Sequence, residues 1–352
     1  MSTPNAPPPV PPGGGPPHDP RGGGRNVRSM TLGLDPRVAG ALHGMFAAVL
    51  GAAPLLGLPF ATALSFFAAM PIFYVGFAKG PMAVVIAAVV AIGATALAAA
   101  PLAGLTLAAN TVVPAAYAAF LINLARPAEE LGGPDGGLAW YPLADVLLRL
   151  CLTVAAGTVV VGLAIGYEID AVRDAFVKAF GSMEPLTDAE GAPLLPDLAD
   201  PEGRERLAGA LARLLPLAQP FSAVIVLVGN LHLAAQLARA RGVLKRPRDD
   251  MALALRLPTL GLLAFGIAIA LSFGDGETAL AARAFAGAFG AGFTIAGFAI
   301  IHLWLRGSAA RLPVLVGLYV ATLVTAGLTV LPVMALGLFS TARAVPVSKR
   351  ND

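Results

Sequence analysis

The sequence predicts an all-α, polytopic transmembrane helix bundle of eight or nine spans, with one long extracytoplasmic loop that contains amphipathic helices. Three observations carry that prediction. Only 13% of the 352 residues are charged and 57% are hydrophobic, with a mean hydropathy of +0.76. A soluble domain carries about 25% charged residues, so a water-facing surface could not be covered here, whereas lipid tolerates an apolar one. Apolar runs close to the ~20 residues that cross a hydrocarbon layer recur along the chain. Finally, Lys and Arg concentrate in particular connections, as orientation in a membrane requires. Together these exclude a soluble enzyme and a secreted disulfide scaffold, and the lone Cys151 has no partner for an intramolecular bridge.

The elements follow in chain order. Residues 1–38 read as a disordered, Pro/Gly-rich basic tail: 1–24 hold nine prolines and six glycines and bury nothing. They lack the basic segment running into a short apolar core that marks a signal peptide. The transmembrane domain spans 39–338. Apolar runs at 39–57 and 59–78 form a close pair broken by Pro54 and Pro59, which one bent segment or a re-entrant hairpin would also fit. Further spans are expected at 81–100, 104–125, 143–166, 216–238, 256–274, 284–305 and 312–338, followed by a C-terminal tail, 339–352.

Charge orients the bundle. Arg21, Arg25, Arg28 and Arg37 lie in the tail, and Arg239, Arg241, Lys245, Arg246 and Arg248 lie in the 239–250 connection. An even number of spans separates the two regions, so both fit the cytoplasmic side. The expected location is a bacterial inner membrane with the N-terminus inside. The loop 167–215, with ten acidic residues against five basic ones, then lies outside. Arg343, Lys349 and Arg350 in the last tail run against nine spans: either the count is eight or this tail is an exception to the charge rule, and nine is kept. Within the loop, Ile169, Val172, Phe176 and Phe180 recur at helical steps opposite Asp170, Arg173, Asp174 and Lys178, which makes an amphipathic helix suited to a membrane surface. Asp200-Pro201 is a helix start, and Leu207, Leu211 and Leu214 carry that helix toward the next span.

Three groups of residues are candidates for function. Gly40, Gly44, Ala48 and Ala52 recur every four residues, so they form a stripe that lets another backbone approach closely. The stripe suits either packing inside the bundle or docking of a partner, and Ala284, Ala288, Gly292 and Ala296 repeat it. His43, Asn123, Asp145, Arg149, Asn230, His232, Gln236 and His302 are polar residues inside spans, all in the expected cytoplasmic half. Asp145 and Arg149 are placed to pair four residues apart. The set suits a cytoplasm-facing cavity or a proton path, and equally snorkelling at span ends. Thr106, Asn110 and Thr111 precede Pro114, which removes a backbone donor and predicts a broken helix in the outer half. With Glu168, Asp275 and Glu277 in reach, these residues outline an outward-facing pocket.

No HExxH motif, phosphate-binding loop or Cys-rich metal site occurs in the sequence, so no catalytic centre, cofactor or metal is expected. The short basic connection 239–248 reads as a topology signal and an anionic-lipid contact, not as a nucleic-acid site.

Three segments then resemble a known family: WYPLADVLLRL (140–150), GNLHLAAQLAR (229–239) and IIHLWLRGSAARLPVLVGLYVATLV (300–324), ahead of a last span ending in LGLFSTAR. With the basic tail and acidic loop, they resemble the YybS-like family of uncharacterised bacterial multi-pass membrane proteins, from about residue 38 to 343. That family is distantly similar to the S components of energy-coupling-factor vitamin transporters. The likeness implies a small molecule held near the outer face, and docking through small residues of early helices onto a coupling protein with two ATPases. Gly40, Gly44, Ala48 and Ala52 would suit that docking; the cytoplasmic polar set is not explained by it. The expectation is therefore a non-enzymatic, solute-binding or transport subunit in a lipid bilayer, with an unknown small-molecule ligand. The alternative is a membrane scaffold or regulatory protein without transport activity.

Overall fold

The computed structural model describes residues 33–57, 59–183, 198, 200–325 and 327–342. The expected disorder of residues 1–32, the Pro- and acid-rich stretch 184–197 and the basic residues beyond Ala342 lie outside the described residues. The described residues from Asp35 onward form one contact unit.

The first helix, α1 (Pro36–Ala52), starts where the Asp35 carboxylate accepts the Arg37 N–H at 2.7 Å and Pro36 supplies a first-turn residue with no donor to lose. The tail thus ends at Leu34, four residues short of the expected boundary. A 3₁₀ turn and the left-handed Gly57 end the segment, and α2 (Pro59–Ser65) and α3 (Met70–Lys79) follow. The close pair of runs is therefore two separate segments, each 20 residues long and apolar enough to cross a membrane. Next come α4 (Pro81–Ala98), α5 (Pro101–Leu107), a π-turn at 108–112 and α6 (Val113–Ile122). A two-stranded hairpin, β1 (Ala125–Pro127) with antiparallel β2 (Leu138–Trp140), follows α6. The chain continues through α7 (Leu143–Ile165), α8 (Ile169–Gly181), the 40-residue α9 (Pro201–Ala240), α10 (Thr259–Ser272), α11 (Gly276–Trp304), α12 (Arg311–Val324) and α13 (Val330–Ala342).

Among the described residues, seven helical segments are long and apolar enough to span a membrane, and three shorter apolar helices accompany them. The chain is thus a membrane-embedded helical bundle. Several expected bounds move. The expected span 284–305 begins at Gly276, and 312–338 is two helices, α12 and α13, because the chain turns through Gly327 at φ 91°. The last helix reaches Ala342, so 339–342 belong to it and not to a tail. Asp200 caps α9 as the local pattern demands, its carboxylate accepting the Gly203 N–H at 2.9 Å, and the helix runs unbroken through Pro216 and Pro220. On α8, the Ile169, Val172, Phe176 and Phe180 stripe is half-buried and the helix packs on α9.

α11 is the centre of the packing, lying against α7, α9, α10 and α13. Its Ala/Gly content is the reason. A Cβ on Gly287 would run into the Leu217 carbonyl, and one on Gly297 into the Val333 carbonyl, so α9 and α13 meet α11 backbone to backbone. Facing the other way, Val38, Leu42, Met45, Phe46 and Val49 on α1, and Leu260, Leu263, Ile267 and Leu271 on α10, leave apolar stripes exposed, as a lipid-facing surface does.

Candidate functional site

The candidates expected in the outer half, Asn110 and Thr111, sit where helix geometry is irregular. Pro114 has no N–H to give Asn110, and the chain accommodates this with the π-turn, closed by the Val113 N–H to Ala108 O. The expected break is thus one wide turn in a continuous helix. α7 passes so close to it that a Cβ on Gly157 would strike the Ala109 carbonyl. One residue on, the Thr158 hydroxyl lies 3.2 Å from Asn110 Oδ1, 2.9 Å from Gln219 Oε1 on α9 and 3.0 Å from its own Val154 O. One hydroxyl has one proton. Turning either amide over lets its NH2 donate to Thr158 Oγ1, and the three side chains then close into one network across three helices.

This network borders two spaces. A cavity of about 350 Å³ is lined by Thr106, Asn110, Thr158 and Gln219, with Val161, Leu163 and Leu280 among its apolar walls and Glu168 and Glu277 exposed at its rim. A second, of about 620 Å³, shares Thr106, Asn110 and Gln219 and adds Thr111, Ser65 and Ser222. Volumes of this order hold small organic ligands, and apolar walls with a few placed polar groups are typical of such sites. Asp275 does not join them; it precedes the first turn of α11.

The rim is built by the end of α7. Gly166, left-handed at φ 59°, donates to Leu163 O, and Tyr167 N donates to Gly162 O, the paired bonds of a Schellman turn. The turn aims Tyr167 across the gap to α9, where its hydroxyl donates to Ala212 O at 2.7 Å. Burial pushes the Tyr167 phenol above its ordinary pKa, while the charge of Arg283 pulls the other way. Thr158, Gln219 and Tyr167 are not singled out by the sequence. A Thr inside a span ordinarily bonds its own helix, but Gln219, an amide between Pro216 and Pro220 in an apolar run, was a usable signal.

The intramembrane polar set divides. Asn230 is buried, and its Nδ2 donates to Val226 O and, at 2.7 Å, to Phe66 O, a carbonyl freed where the chain leaves α2. Asn123 Nδ2 similarly ties Ala119 O to Gly76 O on α3, at 2.8 and 3.3 Å. His43 donates to Ala39 O and stacks on Tyr74. These residues complete helix backbones. Asp145 and Arg149 do not form the expected ion pair: the guanidinium bonds the Asp145 backbone carbonyl at 3.4 Å and lies 5.3 Å from the Tyr141 ring centroid. His232, Gln236 and His302 share one further cavity, at the opposite end of α9 and α11, and Gln236 Nε2 donates to His232 Nε2 at 3.0 Å. Among the described residues, no three His, Cys, Asp or Glu side chains gather as metal ligands.

The small-residue stripe is already filled. Gly40, Gly44 and Ala48 are buried, and α4 lies so close that a Cβ on Gly40 would stand 2.6 Å from Ala83 O and one on Gly44 would meet Ala87 O. The face left open to a partner by the sequence is thus taken by this chain's own α4. Arg246, grouped with the loop charges by its sequence position, is instead buried. It binds Asp249 at 2.6 Å and Tyr141 O at 2.8 Å, reaches Ile122 O at 3.3 Å, and lies 5.9 Å from the Trp140 ring. No family model, curated protein or solved structure matches the chain.

Proposed function

We propose that the chain is a non-enzymatic solute-binding subunit of a membrane transport system, in a bacterial inner membrane with its N-terminus in the cytoplasm. The observation that carries this reading is the Asn110–Thr158–Gln219 network on the wall of the cavity of about 350 Å³. Neither amide nitrogen has a partner outside that network among the described residues, so hydrogen-bonding capacity remains for a ligand at this polar patch of a largely apolar wall. A small molecule with an apolar body and a polar end fits these walls, with Glu168 and Glu277 favouring a cationic or donor-rich group at the rim. The arrangement agrees with the likeness to vitamin-transporter S components, and a coupling protein with two ATPases is the implied partner. The Gly40/Gly44 stripe, on which both the scaffold reading and the docking of a coupling protein drew, is covered by α4, so the preferred reading rests on the cavity and not on that stripe.

The test is purification from native membranes in mild detergent, with mass spectrometry of small molecules and proteins that come along. A stoichiometric metabolite, retained by the native chain and lost from Asn110→Leu, is the expected result. A chain that carries lipid alone, or a metabolite whose retention is indifferent to Asn110→Leu, overturns the reading.

A further inference from the structure

The cavity at the other end of the bundle is the largest of the three, about 920 Å³, and its lining is strongly basic. Arg239, Arg246, Arg248, Arg306 and Arg311 all line it, against two acids, Asp249 and Asp250. Both acids are engaged. Asp249 takes the Arg246 fork at 2.6 and 3.0 Å, and Asp250 takes the Arg306 fork at 2.7 and 2.8 Å. Arg239, Arg248 and Arg311 are left without a partner among the described residues, beside His232, Gln236 and His302. The rest of the wall is apolar, with Ile225, Val228, Leu231 and Phe298 running inward along α9 and α11.

Uncompensated guanidiniums at the mouth of a low-dielectric recess concentrate anions. Their planar forks match pairs of phosphate oxygens better than a point charge would, and basic recesses between membrane helices accept anionic head groups. The apolar inner wall asks for an alkyl portion on the same ligand. We infer that this cavity binds an amphiphile whose net negative charge sits on a phosphate, the phosphate held by Arg239, Arg248 and Arg311 and the alkyl portion laid along Ile225 and Val228. The source of the phosphate is either a membrane phospholipid or a soluble phosphate ester. This site is separate from the Thr158 network and does not depend on the solute-binding reading.

The test is native mass spectrometry of the full chain in dodecyl maltoside, titrated with phosphatidylglycerol, with phosphatidylcholine of the same acyl chains, and with glycerol 3-phosphate. The native chain should prefer phosphatidylglycerol over phosphatidylcholine by about tenfold. The triple variant Arg239→Gln/Arg248→Gln/Arg311→Gln should abolish that preference, while Arg213→Gln, at the far end of α9, should leave it. All three arginines are exposed and unpaired, so the unfolding temperature should hold; if the triple variant does not fold, Arg248→Gln alone should cut the preference about threefold. Saturable glycerol 3-phosphate binding that the same variants remove would support the site with a soluble ligand. Equal retention of the two lipids without glycerol 3-phosphate binding, or a preference unchanged in the variants, overturns the inference.

Discussion

The Thr158 hydroxyl stands 2.9 Å from Gln219 Oε1, a polar bond between α7 and α9 in an otherwise apolar layer. Isolated polar groups at that depth are costly unless they are paired or used. On the solute-binding reading, Thr158→Val and Gln219→Leu should each weaken retention of the co-purifying ligand roughly three- to tenfold, since one hydrogen bond contributes about 0.5–1.5 kcal/mol net. Equilibrium dialysis of each variant against the recovered ligand checks this; unchanged retention in both would count against the network as a binding wall.

Close approach of α1 and α4 makes a second prediction. Gly44→Leu must push its side chain through the Ala87 carbonyl, a backbone atom that cannot rotate away, and should cost about 3 kcal/mol or prevent folding. Gly93, on the same α4, has open space around an added Cβ, so Gly93→Ala should be neutral or stabilise by about 0.5 kcal/mol. Unfolding temperatures in detergent, compared between the two variants, decide whether the small-residue stripe is a packing device.

These contrasts show what local sequence can and cannot convey. Lipid demands long apolar runs, so most spans were legible, and Asp200-Pro201 announced α9 because capping needs only neighbouring residues. Asn110 was legible because Pro114 disables a bond within its own helix. Thr158 and Gln219 were not, because their pairing depends on how α7 and α9 are rotated toward each other. The Asp145–Arg149 spacing was right for a pair, but Tyr141 offered the guanidinium a ring face instead. The division of 312–338 into α12 and α13 turned on Gly327, one residue in an apolar run.

Arg246 makes the same point energetically. It joins segments 105 and 124 residues away in sequence, donating to Tyr141 O and Ile122 O. Arg246→Ala would leave Asp249 and two carbonyls without their donor and should destabilise the chain by about 3 kcal/mol. Arg246→Lys keeps the charge without the fork and should recover only part of that. Hydrogen exchange across 125–141 is the direct readout: protection should fall in both variants, and most in Arg246→Ala. Undiminished protection would mean that the hairpin is held by other contacts.

Acid should loosen the neighbouring clasp. The Arg306 fork on Asp250 holds that carboxyl below its ordinary pKa, chiefly through the hydrogen bonds and then through charge. Because the folded pKa is the lower one, the pair's stabilisation is fully present above the unfolded value of about 3.9 and fades as pH falls through the folded value. Asp250→Asn is the informative variant: asparagine still caps the turn at Met251–Ala254, where Asp250 accepts the Ala252 N–H, but cannot pair as an anion. The unfolding temperature of the native chain should exceed that of Asp250→Asn at pH 7, and the gap should close below about pH 4. Both partners reach solvent, so salt should narrow the gap at neutral pH as well. A gap that stays constant from pH 7 to pH 3 would mean that the geometry at Asp250 matters and its charge does not.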